Sequence, residues 1–263
     1  MGTWEFYKDD PTEGIDEVLQ YAVEHGVRHF DTALVYGNGE AERALGRLVR
    51  RSTGSLPGEE LFISTKLPGI RKPDADSRLD EVYPRDWMER CFESSLNALG
   101  EIDTLLLHNW AWQFEQDDAC SHVFELMESW KKQGLCRSIG ISLPNRFGGT
   151  PCGELVRRCD SFMVPVDASA LLLSPGSFSV GEGSALSPLW GREAAVSLVD
   201  ADKITMVRSL FQNRQNVPKS NAEKAEAVRR LPDVDRIVIG TTSRDHLQEW
   251  IKIMEVQHVQ ASE

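Results

Sequence analysis

The 263 residues include no run near the 18 consecutive apolar residues that a membrane-spanning helix needs. Cysteine is scarce and unpaired: Cys91, Cys120, Cys136, Cys152 and Cys159 are odd in number and form no CxxC pair. That spacing argues against a zinc ribbon or a disulfide framework, so no metal is expected and a reducing compartment fits. The opening MGTWEFYKDDPTEG lacks the basic and apolar regions of a secretory signal, and the closing QASE matches no prenylation or retention signal. Basic residues are in the minority, with 29 Lys and Arg against 41 Asp and Glu and a net charge of -12. Nucleic acid and anionic membranes would both repel such a chain, so a small-molecule partner and a cytoplasmic location are expected. The glycines of YGNGE, Tyr36–Glu40, lack GxGxxG spacing and open no Rossmann unit.

What is present is a folding chain, with 41% hydrophobic residues and seven Trp. Its length allows a sizeable core without disulfides. Short, nearly continuous apolar runs predict strands at Gly2–Phe6, Arg28–Ala33, Leu61–Lys66, Thr104–His108, Ser138–Ser142, Ser161–Val166, Ile204–Leu210 and Arg236–Gly240. Such runs suit strands buried on both faces, as in a parallel sheet. Between them, apolar residues recur at three- and four-residue spacing. In IDEVLQYAVEHG, Ile15, Val18, Leu19, Ala22 and Val23 share one face and Gly26 follows as a cap. WMERCFESSLNALG and VFELMESWKKQG repeat the design. Further helices are predicted at Gly39–Arg51, Cys152–Arg158, Ser187–Val199, Asn221–Leu231 and Arg244–Val256. Eight alternating strand–helix pairs without a linker predict one α/β domain over 1–263, a (β/α)8 TIM barrel. Ala170–Leu186 reads as a long loop.

In such a barrel the chemistry sits at the C-terminal ends of the strands. Those ends carry Asp31 in HFDTA, Tyr36 just beyond it, Lys66 in ISTK and His108 in LLLHN. Each alone has an ordinary reading: a turn cap, a loop aromatic, a surface charge, a structural histidine. Together they imply pairing, because ionisable groups on buried strands are costly to desolvate alone. An isolated phenol holds its proton too tightly to serve as an efficient acid near neutrality, and a nearby ammonium favours the phenolate. A carboxylate would hold the ammonium, and the histidine could donate to a carbonyl oxygen. The set suits carbonyl reduction, alcohol oxidation or enolisation. Trp4, Trp110, Trp112, Phe178 and Trp190 are candidate aromatics near the mouth, and Trp4 and Trp110 are expected to touch substrate.

These residues resemble the aldo-keto reductase family. The resemblance rests on GTWEF (Gly2–Phe6), HFDTALVYGNGEAERALG (His29–Gly46), FISTKL (Phe62–Leu67), LLLHNW (Leu105–Trp110), SIGISLPN from Ser138, and IVIGTTSRDHLQE (Ile237–Glu249). It implies a (β/α)8 barrel using NADP(H), with NAD(H) an alternative. Tyr36 would be the general acid, Lys66 and Asp31 would tune it, and His108 would orient the carbonyl. The cofactor would meet Gly2, Thr3, Ser142, Asn145, Arg208, Ser209, Gly240, Thr241, His246 and Glu249. Against the family pattern, the usual N-terminal hairpin is missing and the segment between strands seven and eight is short. Met163 stands where Gln is typical, His246 where Arg is frequent, and Trp250 where Asn is frequent. VPKS (Val217–Ser220) resembles a phosphate-binding segment but reads as a loop; Arg208, Arg214 and Arg244 are other basic candidates. The expected function is NAD(P)H-dependent reduction of an aldehyde or ketone, or its reverse. A redox-neutral lyase, dehydratase or isomerase on an enolisable carbonyl, and a non-catalytic dinucleotide-binding subunit, stay open.

Overall fold

The computed structural model describes residues 1–7, 14–52, 60–116, 120–145, 151, 153–172, 190–211 and 220–260. The loop sequence LSPGSFSVGEGS with Phe178, Arg214, and residues 217–219 of VPKS lie outside the described residues. The chain runs α1 (Ile15–Glu24), β1 (His29–Asp31), α2 (Glu40–Ser52), β2 (Phe62–Leu67), α3 (Leu79–Val82), α4 (Arg85–Leu99) and β3 (Thr104–Leu107). It continues through α5 (Cys120–Lys132), β4 (Ser138–Ser142), α6 (Gly153–Arg158), β5 (Ser161–Pro165), α7 (Ala168–Leu172), α8 (Trp190–Asp200), β6 (Ile204–Arg208), α9 (Asn221–Arg229), β7 (Arg236–Val238) and α10 (Arg244–Gln260). Consecutive strands pair in parallel, in the order β1 to β7.

The expected first strand, Gly2–Phe6, is corrected. Only Gly2 bridges, and it bridges in parallel to both Asp31 and Gly240. That one residue joins β1 to the end of β7 and brings the seven strands to a nearly closed barrel. The chain then turns back: the Phe6 amide donates to the Thr3 carbonyl at 3.3 Å, and Trp4–Tyr7 forms a 3-10 turn. Apolar composition alone does not separate one bridging residue from a five-residue strand. A Cβ on Gly2 would stand 3.0 Å from Val238 Cγ1, so the close approach favours glycine there. The other seven runs hold their strands within a few residues, and α3 and α7 are short helices the periodicity does not announce.

Strand alternation sorts the core into two parts. Outward side chains such as Phe30, Ile63, Leu105, Ile141, Phe162 and Val207 join the large apolar layer beneath the helices. A smaller cluster of Leu106, Met163, Met206 and Val238 packs apart from it, inside the barrel. On β1 and β2 the inward positions are polar instead: His29, Asp31, Ser64 and Lys66, all buried. Below the inner cluster, Thr104, Ser138 and Ser161 join by hydroxyl hydrogen bonds of 2.7 and 3.1 Å.

Gly140 of β4 sits where the barrel wall is tightest. A Cβ there would meet the Ser161 carbonyl oxygen of β5 at 1.7 Å, which no side-chain adjustment relieves. Gly140→Ala is expected to destabilise the fold by about 1–3 kcal/mol or more through overpacking, lowering Tm by roughly 2–4 °C per kcal/mol. Thermal melts of the two proteins check this, and an unchanged Tm would contradict the packing described.

Candidate active site

The C-terminal ends of the strands open on a cleft of about 590 Å³. At its floor Lys66 Nζ donates to both carboxylate oxygens of Asp31, at 2.7 and 2.6 Å, and to the Thr32 carbonyl at 2.8 Å. All three ammonium protons are thereby used. The Lys66 side chain is 1% exposed and that of Asp31 6%. The Ser64 hydroxyl donates to Asp31 Oδ1 at 2.9 Å, and His29 Nε2 lies 2.9 Å from that hydroxyl. The inward positions of two adjacent strands thus form one buried polar chain.

Tyr36 follows β1, in a 3-10 turn over Tyr36–Gly39. Lys66 Nζ lies 5.3 Å from its ring centroid. The His108 ring meets that of Tyr36 edge to face, with centroids 6.0 Å apart at 82°. His108 Nδ1 is buried with no hydrogen-bond partner among the described residues, and His108 lines the cleft, which leaves Nε2 as the nitrogen that the cleft can reach. Burial, with the charges of Lys66 and Arg208 adding to it, holds the imidazole down to about 3. His108 is therefore neutral near pH 7 and can donate or accept a hydrogen bond without carrying charge.

Across the mouth, Arg208 at the end of β6 donates to Asn145 Oδ1 at 2.7 Å, the Ser209 hydroxyl at 2.8 Å and the Leu143 carbonyl at 2.6 Å. Ser142, Asn145, Ser209, Gly240 and Gly2 line the same cleft. A second hollow of about 400 Å³ adjoins it, sharing Trp4, Glu5, Ser209, Val238 and Gly240. Thr241, His246 and Glu249, beside the start of α10, line this hollow. A Cβ on Gly240 would approach Glu5 Cγ at 3.1 Å, so Glu5 packs closely over this glycine where the two hollows share their lining. An elongated ligand with anionic groups fits these surroundings: guanidinium, hydroxyl and amide donors, then the N-terminus of a 17-residue helix.

Two expected contacts are corrected. Trp110 is 1% exposed and does not line the cleft; it packs on Phe114 and Phe124 with centroids 5.4 and 6.0 Å apart. The reason lies one residue earlier, where Asn109 adopts φ 58 and turns the chain away from the mouth. Thr3 is also buried; its amide and hydroxyl contact the Asp31 carbonyl oxygen at 3.0 and 3.2 Å, so it holds Asp31 from behind. Trp4 does line both hollows and is 41% exposed. Met163 is buried in the inner cluster.

Sequence reasoning passed over Lys224, Phe211 and Lys72 among the lining residues, and the contacts that Glu249 and Trp250 make. Lys224 of α9 pairs with Glu249 at 2.6 Å and lies 5.3 Å from the Trp250 ring centroid. Trp250 also rests on Phe211, with centroids 4.5 Å apart. These contacts join α9, α10 and the end of β6, so no local motif announces them. Lys72, in the loop after β2, lines the first cleft as well.

A parallel α/β barrel with a buried lysine–aspartate pair beneath a tyrosine and a neutral histidine is the class that fold and site define. Residues 1–147 match the Aldo/keto reductase family, and the chain belongs to it. Aldo-keto reductase AKR2E4 of Bombyx mori is 33% identical over 172 residues, 59% of this chain and 48% of that one. Human aldo-keto reductase family 1 member A1 is 27% identical over 172 residues, covering 54% and 44%. The chain thus spans about half the length of these relatives. Among solved structures, the Bombyx mori AKR2E4 complex with NADP superposes with a TM-score of 0.63 at 20% identity, covering 96% of this chain and 82% of that one. A Klebsiella pneumoniae aldo/keto reductase in complex with NADP and acetate gives 0.59 at 20% identity, covering 96% and 84%. Among the described residues no helix is long and apolar enough to cross a membrane.

His29 shares the shift of His108: burial first, then nearby positive charges, holds it well below the ordinary histidine value of 6.5. Below about pH 6.5 the unfolded chain binds protons on both histidines that the folded chain refuses. Stability is therefore expected to fall as pH drops from about 6.5 towards 3, each histidine steepening the loss by at most about 1.4 kcal/mol per pH unit. Urea unfolding at pH 6.5 and 4.5 checks this: His108→Asn should lose less stability between the two than wild type. An equal loss would mean that His108 titrates normally.

Proposed function

We propose that the chain is an NADP(H)-dependent oxidoreductase that reduces an aldehyde or ketone to an alcohol, or runs the reverse reaction. The carrying observation is the fully hydrogen-bonded Lys66–Asp31 pair beneath the Tyr36 ring, beside a neutral His108. Family membership and the NADP complexes of the structural relatives support the cofactor. NAD(H) is the alternative nucleotide. When bound, the nicotinamide would supply or accept the hydride.

The chain's own residues would do the rest. Tyr36 donates its phenolic proton to the carbonyl oxygen as negative charge builds there. Lys66 stabilises the phenolate left behind through its charge, since its three donors are committed elsewhere. Asp31 keeps the ammonium in place and is itself held by Ser64 and by the backbone at Thr3. His108 offers a hydrogen bond from Nε2 to the same oxygen, and its neutrality leaves Tyr36 as the acid. Arg208, Ser142, Asn145, Ser209 and Gly240 would hold the middle of the dinucleotide. Thr241, His246 and Glu249, with Lys224 and Trp250, would meet its adenosine end.

A redox-neutral reaction on an enolisable carbonyl is the second reading. It is favoured by Met163 in the middle of β5, a buried thioether of the inner cluster that has no donor or acceptor group for a carboxamide.

Tyr36→Phe is expected to lower kcat by about 10²–10⁴-fold, the usual contribution of a positioned acid, while Kd for NADPH stays within about twofold. Steady-state reduction of an aldehyde and tryptophan-quenching titration with NADPH read the two separately. Full activity in the Phe variant would remove Tyr36 from the mechanism.

A further inference from the structure

The chain is strongly acidic, yet the cleft around Tyr36 is lined by four basic residues and two acidic ones: Lys66, Arg71, Lys72 and Arg208, against Glu5 and Asp31. Their partners divide them. Lys66 is paired with Asp31 and buried beneath Tyr36, so its charge acts on that ring at short range rather than on a distant group. Arg71 is neutralised by Asp74 at 3.3 Å and Glu81 at 3.0 Å. Arg208 bonds to neutral oxygens of Asn145, Ser209 and Leu143. Lys72 is exposed and has no hydrogen-bond or ion-pair partner among the described residues. Arg208, Lys72 and Glu5 are therefore without an oppositely charged partner among the described residues, and Glu5 lies against Gly240, beyond β7 and on the Arg208 side of the mouth, which leaves Lys72 as the unopposed charge on its own side.

Topology separates Arg208 from Lys72. Counting the Gly2 bridge as the eighth stave, β2 and β6 stand four staves apart in either direction. Arg208 lies at the end of β6, beside the residues proposed to hold the dinucleotide. Lys72 follows β2, on the opposite side of the mouth. Moreover, β2 stands between β1, which leads to Tyr36, and β3, which leads to His108. A carbonyl bonded to Tyr36 and His108 lies on the arc beneath the loop that carries Lys72.

That loop is braced. Trp87 Nε1 donates to the Pro68 carbonyl at 2.8 Å, and the Ile70 amide to the Val82 carbonyl at 2.8 Å. Arg71 Nη1 donates to the Ser77 hydroxyl at 2.7 Å, and Gln113 Nε2 to the Asp74 carbonyl at 2.6 Å. A Cβ on Gly69 would meet Val82 Cγ1 at 2.5 Å, so the backbone lies flat against α3. Arg71 thus anchors the loop, which places the neighbouring Lys72 in the lining of the cleft. Trp4 and Val35, exposed by 41% and 50%, add apolar wall.

We propose that Lys72 reads a negative charge on the substrate, and that the preferred substrates are aldehydes or ketones with an apolar body and a carboxylate or phosphate group. This rests on the carbonyl-reductase reading. A lysine in the cleft wall whose charge is not taken up by the described residues can give such a substrate a charge-assisted contact that a neutral analogue lacks. The field of an exposed lysine is screened by salt, so the preference should weaken as ionic strength rises.

The test compares 4-formylbenzoate, 4-formylphenyl phosphate and neutral methyl 4-formylbenzoate with NADPH, in wild type, Lys72→Met and Lys72→Arg. Wild type is expected to favour at least one anion over the ester by about fivefold in kcat/KM at low salt, the upper range for an exposed pair. Which anion is favoured separates carboxylate from phosphate recognition. Lys72→Met should abolish the preference through KM, and Lys72→Arg should retain it. Equal use of ester and anions by wild type, or an undiminished preference in Lys72→Met, overturns the proposal. Calorimetric binding of 4-formylbenzoate and 4-formylphenyl phosphate to the NADP⁺-saturated protein, which has no hydride to give, is read alongside. If an anion binds and Lys72→Met weakens it about fivefold, but no aldehyde is reduced, the reductase reading fails and the anion site stands. Reduction without anion preference does the reverse.

Discussion

The buried contact between Lys66 and Asp31 is the constraint on which the rest of the site depends. Two charges in a nearly dry interior persist only if each is fully partnered, and removing one partner of such a pair typically costs about 3–5 kcal/mol. Here the partnering is complete on the lysine side: both Asp31 oxygens and the Thr32 carbonyl take its three protons. On the aspartate side, Ser64 adds a hydrogen bond and His29 stands behind Ser64. A pair held this tightly cannot follow the substrate. It provides a fixed positive charge beneath a phenol, which is what oxygen protonation in a cleft calls for.

Much of the barrel serves to hold that pair. Gly2 closes the cylinder between β1 and β7, and Thr3 then binds the backbone of Asp31 from behind. The interior is divided accordingly. Inward positions on β1 and β2 are polar and make the network, whereas Leu106, Met163, Met206 and Val238 fill the other side with apolar volume. The apolar half raises the cost of any unpartnered charge next to it. It also explains the neutrality of His108, whose imidazole sits among buried neighbours and two cations. The geometry that keeps His108 uncharged thus leaves Tyr36 as the proton donor of the proposed reaction.

The strand-end logic made the grouping of Asp31, Tyr36, Lys66 and His108 at one mouth legible from the residues alone. Asp31, Lys66 and His108 sit at or just beyond the ends of three consecutive predicted strands, and the parallel register brings those ends to one mouth. The first strand was not legible, because GTWEF has a strand's composition while only Gly2 finds neighbours on both sides. Trp110 misled for a local reason: it lies beyond the end of β3 and after the positive φ of Asn109, where strand alternation no longer assigns a side chain's direction. The wall formed by Lys224, Glu249, Trp250 and Phe211 depends on how α9 meets α10, and no spacing within either segment encodes it. Lys72 looks like any exposed lysine until its neighbours' partners are known.

In the proposed reaction a hydride passes between a nicotinamide and a carbonyl carbon in this cleft. The most direct measurement mixes the protein with NADPH deuterated at the transferable nicotinamide C4 position and an aromatic aldehyde, then examines the alcohol by mass spectrometry. The account predicts one deuterium on the carbinol carbon for each NADPH oxidised. Carbonyl consumed without deuterium in the product, or at the same rate with no nucleotide present, would contradict it.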